Sequence, residues 1–294
     1  MFHGAYTALV TPFRGGSVDF DRLRQNVRFQ VEQGIDGLVP VGTTGESPTL
    51  SHEEHRKVID AVVQEVRSLK APVKVIAGTG SNATAEALEL TVHARKVGAD
   101  GALMVNPYYN KPTQEGLYRH FATIADAVDI PILLYNIPGR TGVTMAPATI
   151  ARLAQGHPQV VGVKEATGSM DIASEIAMLC GPKFDIISGD DSLTLPLMAL
   201  GGRGVISVLS NLVPARIKAL TAAALSGKWD EARSLHLSLF PLGRAMFLET
   251  NPIPVKYAMK ALGRDTGELR LPLCEPTDAT KAAVEAALRD AGLQ

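Results

Sequence analysis

The chain has 294 residues, of which 46% are hydrophobic, 20% charged and 5% aromatic. That composition can bury a large aliphatic core and excludes a disordered chain, and a length near 300 suits one large α/β barrel as well as two average domains. The 29 basic and 30 acidic residues leave a formal net charge of -1, without the basic excess that phosphate-backbone binding needs, so nucleic acid is not an expected partner.

The first residues, MFHGAYTALVTPFRGG, lack a basic segment leading into an apolar core. No stretch reaches the roughly 18 apolar residues of a membrane span, so the expected location is cytoplasmic. Cys180 and Cys274 sit far apart, with no CxxC or Cys/His spacing. Neither a disulfide nor a zinc site is suggested, and buried free thiols are expected.

In chain order, short apolar runs fall at 5–13, 37–42, 73–80, 101–107, 131–137, 160–167, 184–190 and 204–208. Apolar residues on both faces of each run indicate parallel strands covered on both sides, and every gap has room for a helix. In the second gap, Ser51 followed by Glu53 and Glu54 predicts an N-cap with acidic residues in the first turn. In the third, Asn82 is the candidate cap and Gly98 the candidate stop. No GxGxxG follows the first run, so eight regular βα units predict a closed (β/α)8 TIM barrel. Beyond residue 210 the pattern is helical only. The expected division is a catalytic barrel over 1–224 and a C-terminal helical extension over 225–294.

In this fold catalytic groups stand at the C-terminal ends of strands. Those ends read Gly42-Thr43-Thr44-Gly45-Glu46, Asn106-Pro107-Tyr108-Tyr109, Tyr135-Asn136 with Arg140 beyond, Lys164-Glu165 and Ser188-Gly189-Asp190-Asp191. A lysine ending an apolar strand is unusual, because burying an unpaired ammonium is costly and favours the neutral amine. Such an amine can add to a ketone and form an iminium that acts as an electron sink. Pairing of Lys164 with a carboxylate such as Glu165 for stability accounts for the pattern equally well, and residues alone leave both readings open.

Seven motifs, VGTTGESPTL at 41–50, IAGTGSNATAEA at 76–87, NPYYNKPTQEGLYRHF at 106–121, YNIPGRTG at 135–142, GVKEATG at 162–168, SGDDSLTLPLMALGGRGVISV at 188–208 and NPIPVKYAMKALG at 251–263, occur in order. With them the chain resembles the dihydrodipicolinate synthase family of class I pyruvate-dependent aldolases over nearly its whole length. The resemblance implies condensation of pyruvate with L-aspartate 4-semialdehyde, in lysine and diaminopimelate biosynthesis, through a Schiff base on Lys164 and with neither external cofactor nor metal. It implies that Tyr135 moves protons, in a relay completed by Thr44 and Tyr109. Thr43 and Thr44 would hold the pyruvate carboxylate, Gly189 and Ile206 would line the pocket, and Arg140 would take the carboxylate of the second substrate. An arginine at 140 separates this pattern from the related neuraminate lyases, the alternative being an aldolase or lyase for a sugar acid or hydroxy-oxo acid. The resemblance further implies a homotetramer built as a dimer of dimers, and an L-lysine effector site at Ser47, Pro48, His52, His55, Asn82, Glu86 and Tyr108. Pro48 falls where relatives often carry alanine.

Overall fold

A computed structural model describes all 294 residues. The eight runs become β1 (Gly4–Ala8), β4 (Gly37–Val39), β5 (Lys74–Gly78), β6 (Gly101–Val105), β7 (Ile132–Asn136), β8 (Val160–Glu165), β9 (Asp185–Ser188) and β10 (Gly204–Ser207). They close into a parallel barrel in the order β1-β10-β9-β8-β7-β6-β5-β4. Every residue of β1, β4, β7, β9 and β10 is buried, as expected of strands covered on both faces. The end of the first run departs from expectation. Phe13–Arg14 (β2) and Ser17–Val18 (β3) form a small antiparallel hairpin, because Gly15 (φ 58°) and Gly16 (φ 79°) supply the two left-handed residues of a tight turn.

The intervening helices are α1 (Phe20–Glu32), α2 (His52–Ser68), α3 (Thr84–Val97), α4 (Gln114–Ala127), the single turn α5 (Pro138–Thr141), α6 (Pro147–Gly156), α7 (Met170–Cys180) and α8 (Thr194–Ala199). After β10 only helices follow: α9 (Pro214–Leu225), α10 (Trp229–Ala245), α11 (Ile253–Ala261) and α12 (Asp278–Asp290). None is long and apolar enough to cross a membrane.

Helix α2 starts as its sequence predicts, on a full capping box: Ser51 Oγ accepts from Glu54 N, and Glu54 Oε2 accepts from Ser51 N (2.9 Å). Helix α3 stops at Gly98 (φ 85°) as expected, but Asn82 is not its cap. The N-cap residue is Ala83 and makes no side-chain cap bond, because the Asn82 carboxamide oxygen instead accepts from Tyr108 N at 2.8 Å. The thiols also depart from expectation. Cys274 is exposed on the irregular segment between α11 and α12, and Cys180 is only half-buried at the end of α7, where burial still raises its thiol to about 11.

The chain is organised as two compact units, Met1–Gly4 with Ile76–Ile206, and Ala5–Val75 with Ser207–Gln294. The first carries β6 to β9 with their crossovers. The second carries the start of the barrel and all the C-terminal helices.

Candidate active site

In the first unit, β7 and β8 run in parallel register with Tyr135 opposite Lys164 and Asn136 opposite Glu165. Side chains at matched positions of neighbouring strands leave the same face, and the next pair leaves the other. Lys164 (6% exposed) and Tyr135 (5% exposed) therefore share a face, and Lys164 Nζ stands 4.1 Å from the Tyr135 ring centroid. The contact is of the cation–π kind, with the lysine head group against the face of the phenol ring.

The same alternation separates Lys164 from Glu165. Glu165 leaves by the opposite face, where its carboxylate accepts from Thr167 N at 2.7 Å and Asn136 Nδ2 at 3.4 Å. Asn136 is in turn fixed by Met145 N and O, at 3.0 and 3.1 Å, and takes a bond from Asn106 Nδ2 at 3.3 Å. Burial raises the Glu165 carboxyl above the usual range, and its hydrogen bonds to Thr167 and Asn136 oppose that. Glu165 is a strut between loops and not the partner of Lys164.

Asp190, which sequence reasoning left without a role, is the carboxylate that feels the lysine. Burial raises its pKa, and the charge of Lys164 acts in the lowering direction. The Ser188 hydroxyl, which accepts from Asp190 N at 3.2 Å and donates to Asp190 O at 2.8 Å, fixes this turn after β9. Between them Gly189 leaves no room for a side chain: a Cβ there would lie 2.6 Å from Ala166 Cβ and 3.2 Å from Lys164 Cε. Ile206 is fully buried on β10. Arg140 is exposed on α5, whose first turn Pro138 starts.

Beyond β6 the chain makes a sharp loop with Tyr109 (φ 63°) and Lys111 (φ 42°) in the left-handed region. The Tyr109 side chain is 91% exposed, while Tyr108 is 36% exposed and its amide is held by Asn82. Asn110 Nδ2 donates to Asn82 O at 3.1 Å, so the loop is tied to the segment before α3. There Glu86 accepts a hydrogen bond from the Ser81 hydroxyl. Asn82, Glu86 and Tyr108 are thus gathered in one region.

In the second unit, Gly42–Glu46 forms a turn after β4, closed by Gly45 N and Ser47 N on Gly42 O (3.1 and 3.3 Å) and Glu46 N on Thr43 O (3.1 Å). The amides of Thr43 and Thr44 stand outside that set and are suited to an anion. Val41 (φ 50°) and Glu46 (φ 54°) bracket the turn, each in a left-handed conformation costing about 1–2 kcal/mol for a residue with a side chain. Thr44 is buried, and its hydroxyl oxygen accepts from Asn251 Nδ2 at 3.0 Å. Thr43 is half-buried. Just beyond, Ser47 and Pro48 lie in a 3-10 turn, His52 is exposed at the start of α2, and His55 is 7% exposed one turn later. No group of three or more His, Cys, Asp or Glu side chains is placed to hold a metal ion.

A family model described as the Dihydrodipicolinate synthetase family matches residues 1–291. The chain belongs to the dihydrodipicolinate synthetase family. A relative from Pelobacter propionicus, a 4-hydroxy-tetrahydrodipicolinate synthase, is 56% identical over 293 residues, covering 100% of both chains. Among solved structures, the chloride-inhibited dihydrodipicolinate synthase from Acinetobacter baumannii complexed with pyruvate is 43% identical, with a TM-score of 0.96 and 100% of each chain covered. A family member from Cyanidioschyzon merolae with lysine bound is 41% identical, with a TM-score of 0.96, over 100% of this chain and 99% of that one.

Proposed function

We propose that this chain is a lyase, a 4-hydroxy-tetrahydrodipicolinate synthase that condenses pyruvate with L-aspartate 4-semialdehyde on the route to diaminopimelate and lysine. The observation that carries the reading is Lys164, buried at the end of β8 with its Nζ 4.1 Å from the Tyr135 ring centroid. The name borne by the relative from Pelobacter propionicus supports the choice of reaction, and the pyruvate bound to the Acinetobacter baumannii enzyme supports the choice of first substrate.

The neutral Lys164 amine adds to the keto carbon of pyruvate. Protonation of the resulting hydroxyl expels water and leaves an iminium, which is the electron sink, so the chemistry calls for no external cofactor. Loss of a methyl proton gives the enamine, whose carbon attacks the aldehyde of the second substrate while the new alkoxide takes up a proton. The amine of the semialdehyde portion then adds to the iminium carbon, closes the ring and expels Lys164 as free amine. Tyr135 is the group we assign to these proton movements, with Thr44 and Tyr109 relaying to it, since a threonine hydroxyl both donates and accepts. The Thr43 and Thr44 amides hold the pyruvate carboxylate, and Gly189 and Ile206 line the pocket. Arg140, with its guanidinium fork, receives the carboxylate of the semialdehyde. Joining both substrates at one lysine supplies effective molarity.

A coupled assay comparing aspartate semialdehyde with N-acetylneuraminate and 2-keto-3-deoxy sugar acids tests the assignment. Turnover with the semialdehyde alone is expected, and Arg140→Ala should raise its KM about tenfold or more while that of pyruvate moves little. Comparable kcat/KM on a sugar acid would contradict the assignment.

We further propose L-lysine as an effector, taken by Ser47, Pro48, His52, His55, Asn82, Glu86 and Tyr108, and a homotetrameric assembly. The lysine-bound relative from Cyanidioschyzon merolae supports the first. Initial rates should fall in millimolar lysine; rates that stay level would remove the effector from the account.

A further inference from the structure

The segment NPIPVKYAMKALG at 251–263 is the one motif to which neither the reaction nor the effector assigns a task. It meets the Gly42–Glu46 turn at two points. Asn251 Nδ2 donates to Thr44 Oγ1 at 3.0 Å. Five residues on, Lys256 Nζ donates to Glu46 Oε1 at 2.7 Å and to Thr11 O at 3.0 Å. Both side chains of this ion pair are 0% exposed. Thr11 returns to the turn through its hydroxyl, which donates to Gly45 O at 2.7 Å, and the second Glu46 oxygen accepts from Arg270 N at 3.2 Å.

A fully buried ion pair is a poor way to stabilise a fold. Desolvating two ions consumes most of their attraction, and apolar side chains of similar volume often serve as well or better. The turn supplies another reason for it. Val41 (φ 50°) and Glu46 (φ 54°) hold its two ends in a left-handed backbone that a β-branched or long side chain resists, and such positions persist only where the surroundings over-determine them. At Glu46 the surroundings are Lys256 and the Arg270 amide on its carboxylate, with Thr11 linking the lysine to the preceding carbonyl. Asn251 adds a directional constraint: by occupying a lone pair of Thr44 Oγ1, it leaves the hydroxyl to donate its proton elsewhere.

We propose that Lys256 is a positioning residue, which through buried Glu46 holds the turn in the conformation that presents the Thr43 and Thr44 amides to the substrate carboxylate, while Asn251 sets the direction of the Thr44 hydroxyl. This rests on the assignment of that turn to pyruvate made under Proposed function. A residue that only stabilised the fold would act on melting temperature; a positioning residue acts on pyruvate saturation.

Lys256→Met alone strands a buried carboxylate and loses stability, so the informative variant is the double change Lys256→Met with Glu46→Gln, which removes both charges. Its melting temperature is expected to recover most of the loss seen in Lys256→Met. Its KM for pyruvate should stay about tenfold above wild type, as should the pyruvate concentration giving half-maximal borohydride trapping at Lys164, with the KM for the semialdehyde little changed. Thr11→Val, which keeps the ion pair and removes only the bond to Gly45 O, carries the test should the charge variants fold badly, and should shift pyruvate saturation several-fold in the same direction. Asn251→Ala should lower kcat with pyruvate saturation unaltered. Wild-type saturation in both the double variant and Thr11→Val overturns the positioning role and leaves Lys256 a structural residue. Absence of any adduct in the wild-type chain removes the pyruvate assignment itself, and the inference with it.

Discussion

Consecutive residues on β8 hold opposite duties because a strand alternates its faces. Lys164 meets the Tyr135 ring, whereas Glu165 braces Asn136 and Thr167. From the sequence both were equally good partners for each other, since adjacency in the chain is easily mistaken for adjacency in space. A different kind of carboxylate is Asp265, 7% exposed, with Oδ1 accepting from Gly267 N at 2.7 Å and Oδ2 buried without a partner. Burial pushes its pKa up to about 6; the charge of Lys256 and the Gly267 bond oppose the rise, and Glu46 adds to it. A carboxyl whose folded value exceeds its unfolded value contributes stability below pH 4 and loses it as pH climbs through about 6. Asp265→Asn keeps the acceptor and removes the titration. It should match wild type near pH 4 and exceed it at pH 8 by on the order of 2 kcal/mol in denaturant unfolding. A less stable variant at pH 8 would show that the ionised carboxylate is a net stabiliser.

Elements whose signals are local were the most legible. Ser51 and Glu54 stand three apart, so the capping box of α2 needs nothing beyond its own turn. Ser51→Ala should cost about 1 kcal/mol, lowering the melting temperature by about 2–4 °C with kcat unchanged; an unchanged melting temperature would mean that tertiary packing alone sets the start of α2. Asn82 carries the same chemistry before α3, yet its carboxamide goes to the amide of Tyr108, 26 positions away. A long-range backbone donor outcompetes the local one, and nothing in the residues around Asn82 announces it. The hairpin at Phe13–Val18 was announced by its paired glycines but masked by the apolar run leading into it.

Across the whole molecule, eight apolar runs separated by helices were sufficient for the barrel, because parallel strands covered on both faces leave few other closures. The site was legible in part. Lys164, Tyr135 and Gly189 stand where strand ends put them, while the contributions of Asp190 and Asn251 were not, the latter because its bond to Thr44 spans 207 positions of sequence. Tyr109, 91% exposed, is the member of the proposed relay most open to solvent.

The account turns on a covalent bond between Lys164 and pyruvate, and borohydride reduction in the presence of saturating pyruvate, followed by peptide mass mapping, tests it most directly. The account predicts one reduced adduct, confined to the peptide carrying Lys164 and lost in Lys164→Ala. No adduct, or one on any other lysine, would contradict it.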